Sequence, residues 1–226
     1  MKTVVILGFS TTGKSSILDY FRENFNNKVD CLDTDSIVSK SYNNHIYNIF
    51  LELYETIDPI DRFRPINYIE NAEDQLLIEL CKDTIKPRLI AAGPFIPIRP
   101  NFKKFNDYVK PDYYFLKTDP EKVYQGLMYR HKVQIEKGLD KYSHFGCWDH
   151  NVTKVYKNGK YEMLPKDKAI ENISRHLDSM QKIYKKLANT NTFYACDLNK
   201  HFVFFKQNKY DEFVNKLMIS LNINRI

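Results

Sequence analysis

The chain has only seven glycines and four cysteines among its 226 residues, and no apolar run approaches the length of a membrane span. With so few glycines and nine prolines there is no room for a long flexible linker, and a chain of this length buries a full core without disulfide staples. A single domain over residues 1–226 is therefore expected. Cys31, Cys81, Cys147 and Cys196 stand far apart, and the apolar stretch after Met1-Lys2 is too short for an export signal. The reading is a cytoplasmic protein with reduced thiols and no membrane partner. The net charge of +6 suits an anionic ligand, yet basic residues never run beyond Lys103-Lys104 or Lys185-Lys186, so the clustering that a nucleic-acid partner requires is missing. An apolar share of 43% argues against disorder as the dominant state.

What is present begins at Gly8-Phe9-Ser10-Thr11-Thr12-Gly13-Lys14-Ser15, a match to G-x-x-x-x-G-K-[ST]. It follows the β-branched and apolar Val4-Val5-Ile6-Leu7 and opens into Ser16-Ile17-Leu18-Asp19-Tyr20-Phe21, whose apolar spacing is helical. Strand, glycine loop and helix form the context this motif needs. Gly8 and Gly13 let the backbone N–H groups of Ser10, Thr11, Thr12, Lys14, Ser15 and Ser16 turn around a phosphate, and the helix offers the positive end of its dipole to the same anion. Lys14 reaches the outer phosphates and the Ser15 hydroxyl can ligate Mg²⁺.

Helix one is expected to end between Asn24 and Asn27, and Val29-Asp30-Cys31-Leu32-Asp33-Thr34-Asp35 reads as a strand closing in two carboxylates. In a parallel α/β sheet the C-terminal strand edge is where ligands sit, so Asp33 and Asp35 are expected to share the crevice of the phosphate loop. One can hold Mg²⁺ and the other can orient or deprotonate an acceptor hydroxyl. Alternatively Asp35 caps a helix starting at Ser36-Ile37.

The Gly8–Ser15 loop after Val4–Leu7, followed by Asp33-Thr34-Asp35-Ser36-Ile37, resembles shikimate kinase within the nucleotide-monophosphate-kinase-like P-loop group, most closely over residues 1–40. The resemblance implies a three-layer α/β fold with a mostly parallel sheet, ATP and Mg²⁺ as cofactors, Asp33 on the metal and Asp35 on the phosphorylated hydroxyl. It also implies a substrate-carboxylate arginine after the helical stretch 44–56, where Arg64 of Arg62-Phe63-Arg64 is the candidate, a solvated loop arginine being the alternative. The family's run of three glycines is reduced here to Gly93 before Pro94, with Arg99 beyond as a second anion contact. Arg130, in Tyr129-Arg130-His131-Lys132, corresponds to the lid arginine that closes over ATP. The family's second carboxylate-binding arginine, four residues before a tyrosine, falls on Met180. That departure argues against shikimate itself.

Further along, apolar spacing predicts helices over 72–82, to about 135 after Thr118-Asp119-Pro120-Glu121, over 166–188 and over 210–221. Strands are expected at Arg88–Ala92, Tyr113–Leu116, Thr192–Cys196 and His201–Phe205. The polar insertion 136–165 is read as part of a lid near 130–165. His144, Cys147 and His150 within it make zinc conceivable, Phe145 and Trp148 packing over a ligand being the favoured use. Asn208-Lys209-Tyr210-Asp211 matches a guanine-reading N-K-x-D, but the accompanying D-x-x-G is absent, and a helix start is the preferred reading. The function that follows is transfer of the γ-phosphate of ATP to a hydroxyl of a small metabolite, shikimate kinase-like. A nucleoside, nucleotide or sugar kinase of the same fold, or a non-catalytic nucleotide-binding regulatory module, is the alternative.

Overall fold

The computed structural model describes residues 2–9, 11–34, 78, 81–82, 85–92, 102–136, 153–157, 160–187, 193–197 and 207–223. In chain order the elements are β1 (Thr3–Gly8), α1 (Lys14–Phe25), β2 (Asp30–Asp33), β3 (Arg88–Ala92), α2 (Phe102–Val109), β4 (Asp112–Lys117), α3 (Pro120–Glu136), β5 (Lys154–Lys157), β6 (Lys160–Met163), α4 (Lys166–Leu187), β7 (Phe193–Asp197) and α5 (Gln207–Ser220). The helix expected over 44–56 and the strand at 201–205 lie outside the described residues. Of the helix over 72–82, Ile78, Cys81 and Lys82 are helical.

Five strands form one parallel sheet in the order β2-β3-β1-β4-β7. β1 is central, and both its faces are covered, which is why its sequence is an unbroken apolar run rather than an alternating one. Val5 and Leu7 point to one face, where Ile90, Tyr113 and Phe115 meet Phe105 of α2, Val123 and Leu127 of α3, and Ile173 and Met180 of α4. Val4 and Ile6 point to the other, where Leu89, Tyr114 and Leu116 meet Ile17, Leu18 and Phe21 of α1 and Phe213, Val214 and Leu217 of α5. The result is the expected three-layer α/β sandwich. Each fully buried aliphatic or aromatic side chain stabilises it by about 1.5–3 kcal/mol.

The helix starts follow local chemistry. Asp119 caps α3, its carboxylate accepting from the Glu121 N–H at 2.8 Å, with Pro120 at the first helical position. α5 begins at Gln207, so Asn208 lies in its first turn and Asp211 in its second, and the N-K-x-D stretch is helix throughout.

The insertion before α4 holds an element that apolar spacing does not reveal. β5 and β6 pair antiparallel, with Lys157 opposite Lys160, and the Leu164 N–H donates to the Thr153 carbonyl at 2.9 Å to extend the ladder. The sequence signal is Asn158-Gly159 between the paired lysines, a dipeptide that favours two-residue hairpin turns. His144, Cys147 and His150 lie outside the described residues, and among those described no cluster of three metal-ligating side chains occurs.

Candidate active site

Because all five strands are parallel, their C-terminal ends share one edge. The chain leaves β1, runs out to the edge strand β2, returns to β3 beside β1, and crosses β1 to reach β4. The direction of winding reverses about β1, and ligands of such sheets sit in the crevice beyond that point. The phosphate loop occupies that position.

The loop is shaped by close approach and by left-handed backbone at Thr11 and Gly13. A Cβ on Gly8 would stand 2.7 Å from Thr12 Oγ1 and 3.1 Å from Leu116 Cβ, so only glycine fits between the loop and β4. Gly13 caps α1 at φ 87°, a left-handed conformation that glycine adopts without strain, and its carbonyl accepts from the Ile17 N–H at 3.1 Å. Phe9 is fully buried among Leu7, Phe105 and Phe115 and anchors the loop in the core. Its carbonyl accepts from the Thr12 hydroxyl at 2.8 Å. Sequence reasoning missed this anchor, although an aromatic residue in an otherwise small and polar loop was a visible signal.

Lys14 folds back over the loop, its ammonium donating to the Gly8 and Phe9 carbonyls, both at 2.9 Å. The Ser15 hydroxyl donates to Asp33 Oδ2 at 3.0 Å, which joins the first turn of α1 to the end of β2. Asp33 stands opposite Ala91 in the register of β2 and β3. Two residues 18 positions apart in the chain, singled out as metal ligands, thus share one hydrogen bond at the mouth of the loop. Ser16 is exposed beside them.

Paired hydroxyl and carboxylate oxygens are the hard donors that Mg²⁺ prefers. A cradle with no space for a Cβ at Gly8, followed by a lysine and a helix N-terminus, suits a phosphate chain. The residues present therefore fit a magnesium nucleotide: Ser15 and Asp33 could hold the metal, and the loop and Lys14 could hold the phosphates.

Arg130 lies exposed on α3. Ser10, Asp35, Arg64 and Gly93 fall outside the described residues. Met180 is fully buried in the core beside Ile173 and Leu127, a place that presents no group to an anion. Cys31, two residues before Asp33, has its thiol pushed up to about 11 by burial, against the lowering effect of Arg22; at neutral pH it is a protonated thiol and not a nucleophile. Among the described residues no helix is long and apolar enough to cross a membrane.

A parallel sheet with a glycine loop after its central strand, a lysine folded into that loop and a serine–aspartate pair at its mouth is the arrangement of a P-loop α/β fold. Among solved structures the fold is that of shikimate kinases. The chain is similar to the shikimate kinase of Bacteroides thetaiotaomicron, with 14% identity and a TM-score of 0.55 over 98% of this chain and 99% of the other. It is also similar to the shikimate kinase of Acinetobacter baumannii in complex with shikimate, with 12% identity and a TM-score of 0.54 over 98% of this chain and 94% of the other. No protein-family model and no curated protein matches the sequence.

Proposed function

We propose that this chain is a single-domain, cytoplasmic kinase that transfers the γ-phosphoryl group of ATP to a hydroxyl of a small metabolite. The observation that carries the reading is the Ser15–Asp33 hydrogen bond at the mouth of the Gly8–Ser15 loop, which joins a metal-holding pair to a phosphate-holding loop. The fold shared with shikimate kinases supports it.

In this reading the loop N–H groups and Lys14 hold the phosphates, Lys14 exchanging the Gly8 and Phe9 carbonyls for anionic oxygens. Ser15 and Asp33 hold Mg²⁺, which when bound neutralises charge on the phosphate oxygens. Asp35 aligns the acceptor hydroxyl and takes its proton as the acceptor oxygen bonds to the γ-phosphorus and the bond to the ADP oxygen breaks. Arg130 closes from a lid over residues 130–165 and stabilises charge on the group in flight. Arg64 and Gly93 contact the acceptor.

The buried Met180 favours an acceptor other than shikimate, because a core methionine cannot grip a carboxylate where the family resemblance implies an arginine. The shikimate kinase of Acinetobacter baumannii binds shikimate; here a nucleoside, nucleotide or sugar hydroxyl is the better candidate. The test is ADP release from Mg-ATP against a panel of shikimate, nucleosides, nucleotides and sugars, with Lys14→Ala and Asp35→Asn in parallel. Stimulation by one acceptor, abolished in both variants, is the expected result. Nucleotide binding without stimulation by any acceptor would replace the kinase reading with that of a nucleotide-binding regulatory module.

A further inference from the structure

Thr11 is held at φ 71°, a left-handed backbone that β-branched residues rarely adopt. Its hydroxyl oxygen is shut away from water and makes no hydrogen bond among the described residues. Elsewhere in the same loop the Phe9 carbonyl takes the Thr12 hydroxyl and the Lys14 ammonium, and the Gly8 carbonyl takes Lys14 as well. A strained backbone and an orphaned hydroxyl at one residue of a binding loop signal a conformation that the ligand completes.

Building on the proposed nucleotide site, we propose that Thr11 is a specific phosphate-positioning residue whose hydroxyl acquires its partner only when an anion enters the loop. An entering phosphate draws the Lys14 ammonium off the two carbonyls, which opens the inner side of the loop, and the Thr11 hydroxyl then donates to a phosphate oxygen. The loop thus binds the anion through a side chain as well as through its N–H groups, and the side chain reports directly on phosphate rather than on base or ribose.

The test is calorimetric titration of the full chain with Mg-ADP, and separately with magnesium pyrophosphate, using the wild type, Thr11→Ser, Thr11→Val and Thr11→Gly. Glycine accepts the left-handed backbone, so Thr11→Gly tests the missing hydroxyl even where valine disturbs folding. Losing a hydrogen bond to a charged group predicts roughly tenfold weaker binding of both probes by the valine and glycine variants, with serine restoring affinity to near the wild-type value. Wild-type affinity in Thr11→Gly, or a serine variant as weak as glycine, overturns the role of the hydroxyl while leaving the nucleotide site intact. A wild-type protein that binds neither probe overturns the nucleotide site together with this inference.

Discussion

Replacing Gly8 by alanine tests the geometry of the loop most directly. The added methyl would meet Thr12 Oγ1 at 2.7 Å, Leu116 Cβ at 3.1 Å and the Leu116 carbonyl at 3.4 Å. Thr12 cannot rotate away freely, because its hydroxyl is bonded to the Phe9 carbonyl at 2.8 Å, and Phe9 is locked in the core. Leu116 belongs to β4, whose register with β1 places it directly opposite Gly8. The loop must therefore lift off the sheet, and overpacking of this kind typically costs about 1–3 kcal/mol. At about 2–4 °C per kcal/mol for a chain of this size, the thermal midpoint should fall by roughly 2–12 °C. Differential scanning fluorimetry with and without Mg-ADP is the assay, the ligand-induced rise being smaller in the variant because the lifted loop no longer aims its N–H groups at the phosphates. Combining the change with Thr12→Ala removes the closest clash, so the double variant should be less destabilised than the two single changes added together, by about 1 kcal/mol. A thermal midpoint and a ligand response both equal to those of the wild type would refute this account of why glycine stands at position 8.

Asp33→Asn keeps a partner for the Ser15 hydroxyl but removes the charge that holds the metal; acceptor-stimulated ADP release should fall on the order of 10²- to 10³-fold and need more Mg²⁺, as a magnesium titration of the rate would show. Met180→Ala opens a cavity among Ile173, Leu127 and Val123 and should cost about 2–5 kcal/mol in urea unfolding while leaving Mg-ADP affinity unchanged. His176 is held below the usual histidine range, first by burial and then by the positive charge of Arg175. The folded state thus favours its neutral form. Its contribution is present above the unfolded-state pKa of about 6.5 and is lost as pH falls through the lower folded value. Urea midpoints measured between pH 7 and 5 should therefore fall less steeply in His176→Gln than in the wild type.

Much of the architecture was legible because the relevant signals are local. Val4–Leu7 reads as a strand from its β-branched apolar run, and the turn from Gly13 into Ile17, Leu18 and Phe21 announces a helix with one inward stripe. The Thr118–Glu121 cap was readable for the same reason. The strand-edge rule, which depends on sheet geometry and not on chain distance, led to the expectation of Asp33 in the crevice of the loop, and Asp33 there accepts from Ser15; Asp35 lies outside the described residues. The β5–β6 hairpin escaped because its strands, Lys-Val-Tyr-Lys and Lys-Tyr-Glu-Met, are four residues each, too short to show a clear apolar period. The left-handed backbone at Thr11 escaped as well, since threonine is not a residue whose identity announces a positive φ.

The position of β1 at the centre of the sheet also dictates when the protein can acquire its loop. Val4 pairs with Leu89 of β3 and with Asp112 of β4, so β1 must wait for two strands made much later in the chain before both its edges are covered. At about 5–20 residues per second of synthesis, this strongly apolar strand waits several seconds for β3 and then β4 to appear. Gly8 is held against Leu116 of β4. Shortened chains that stop before β4 should therefore be unable to shape the phosphate loop, and the nascent protein spends that interval dependent on protection from aggregation.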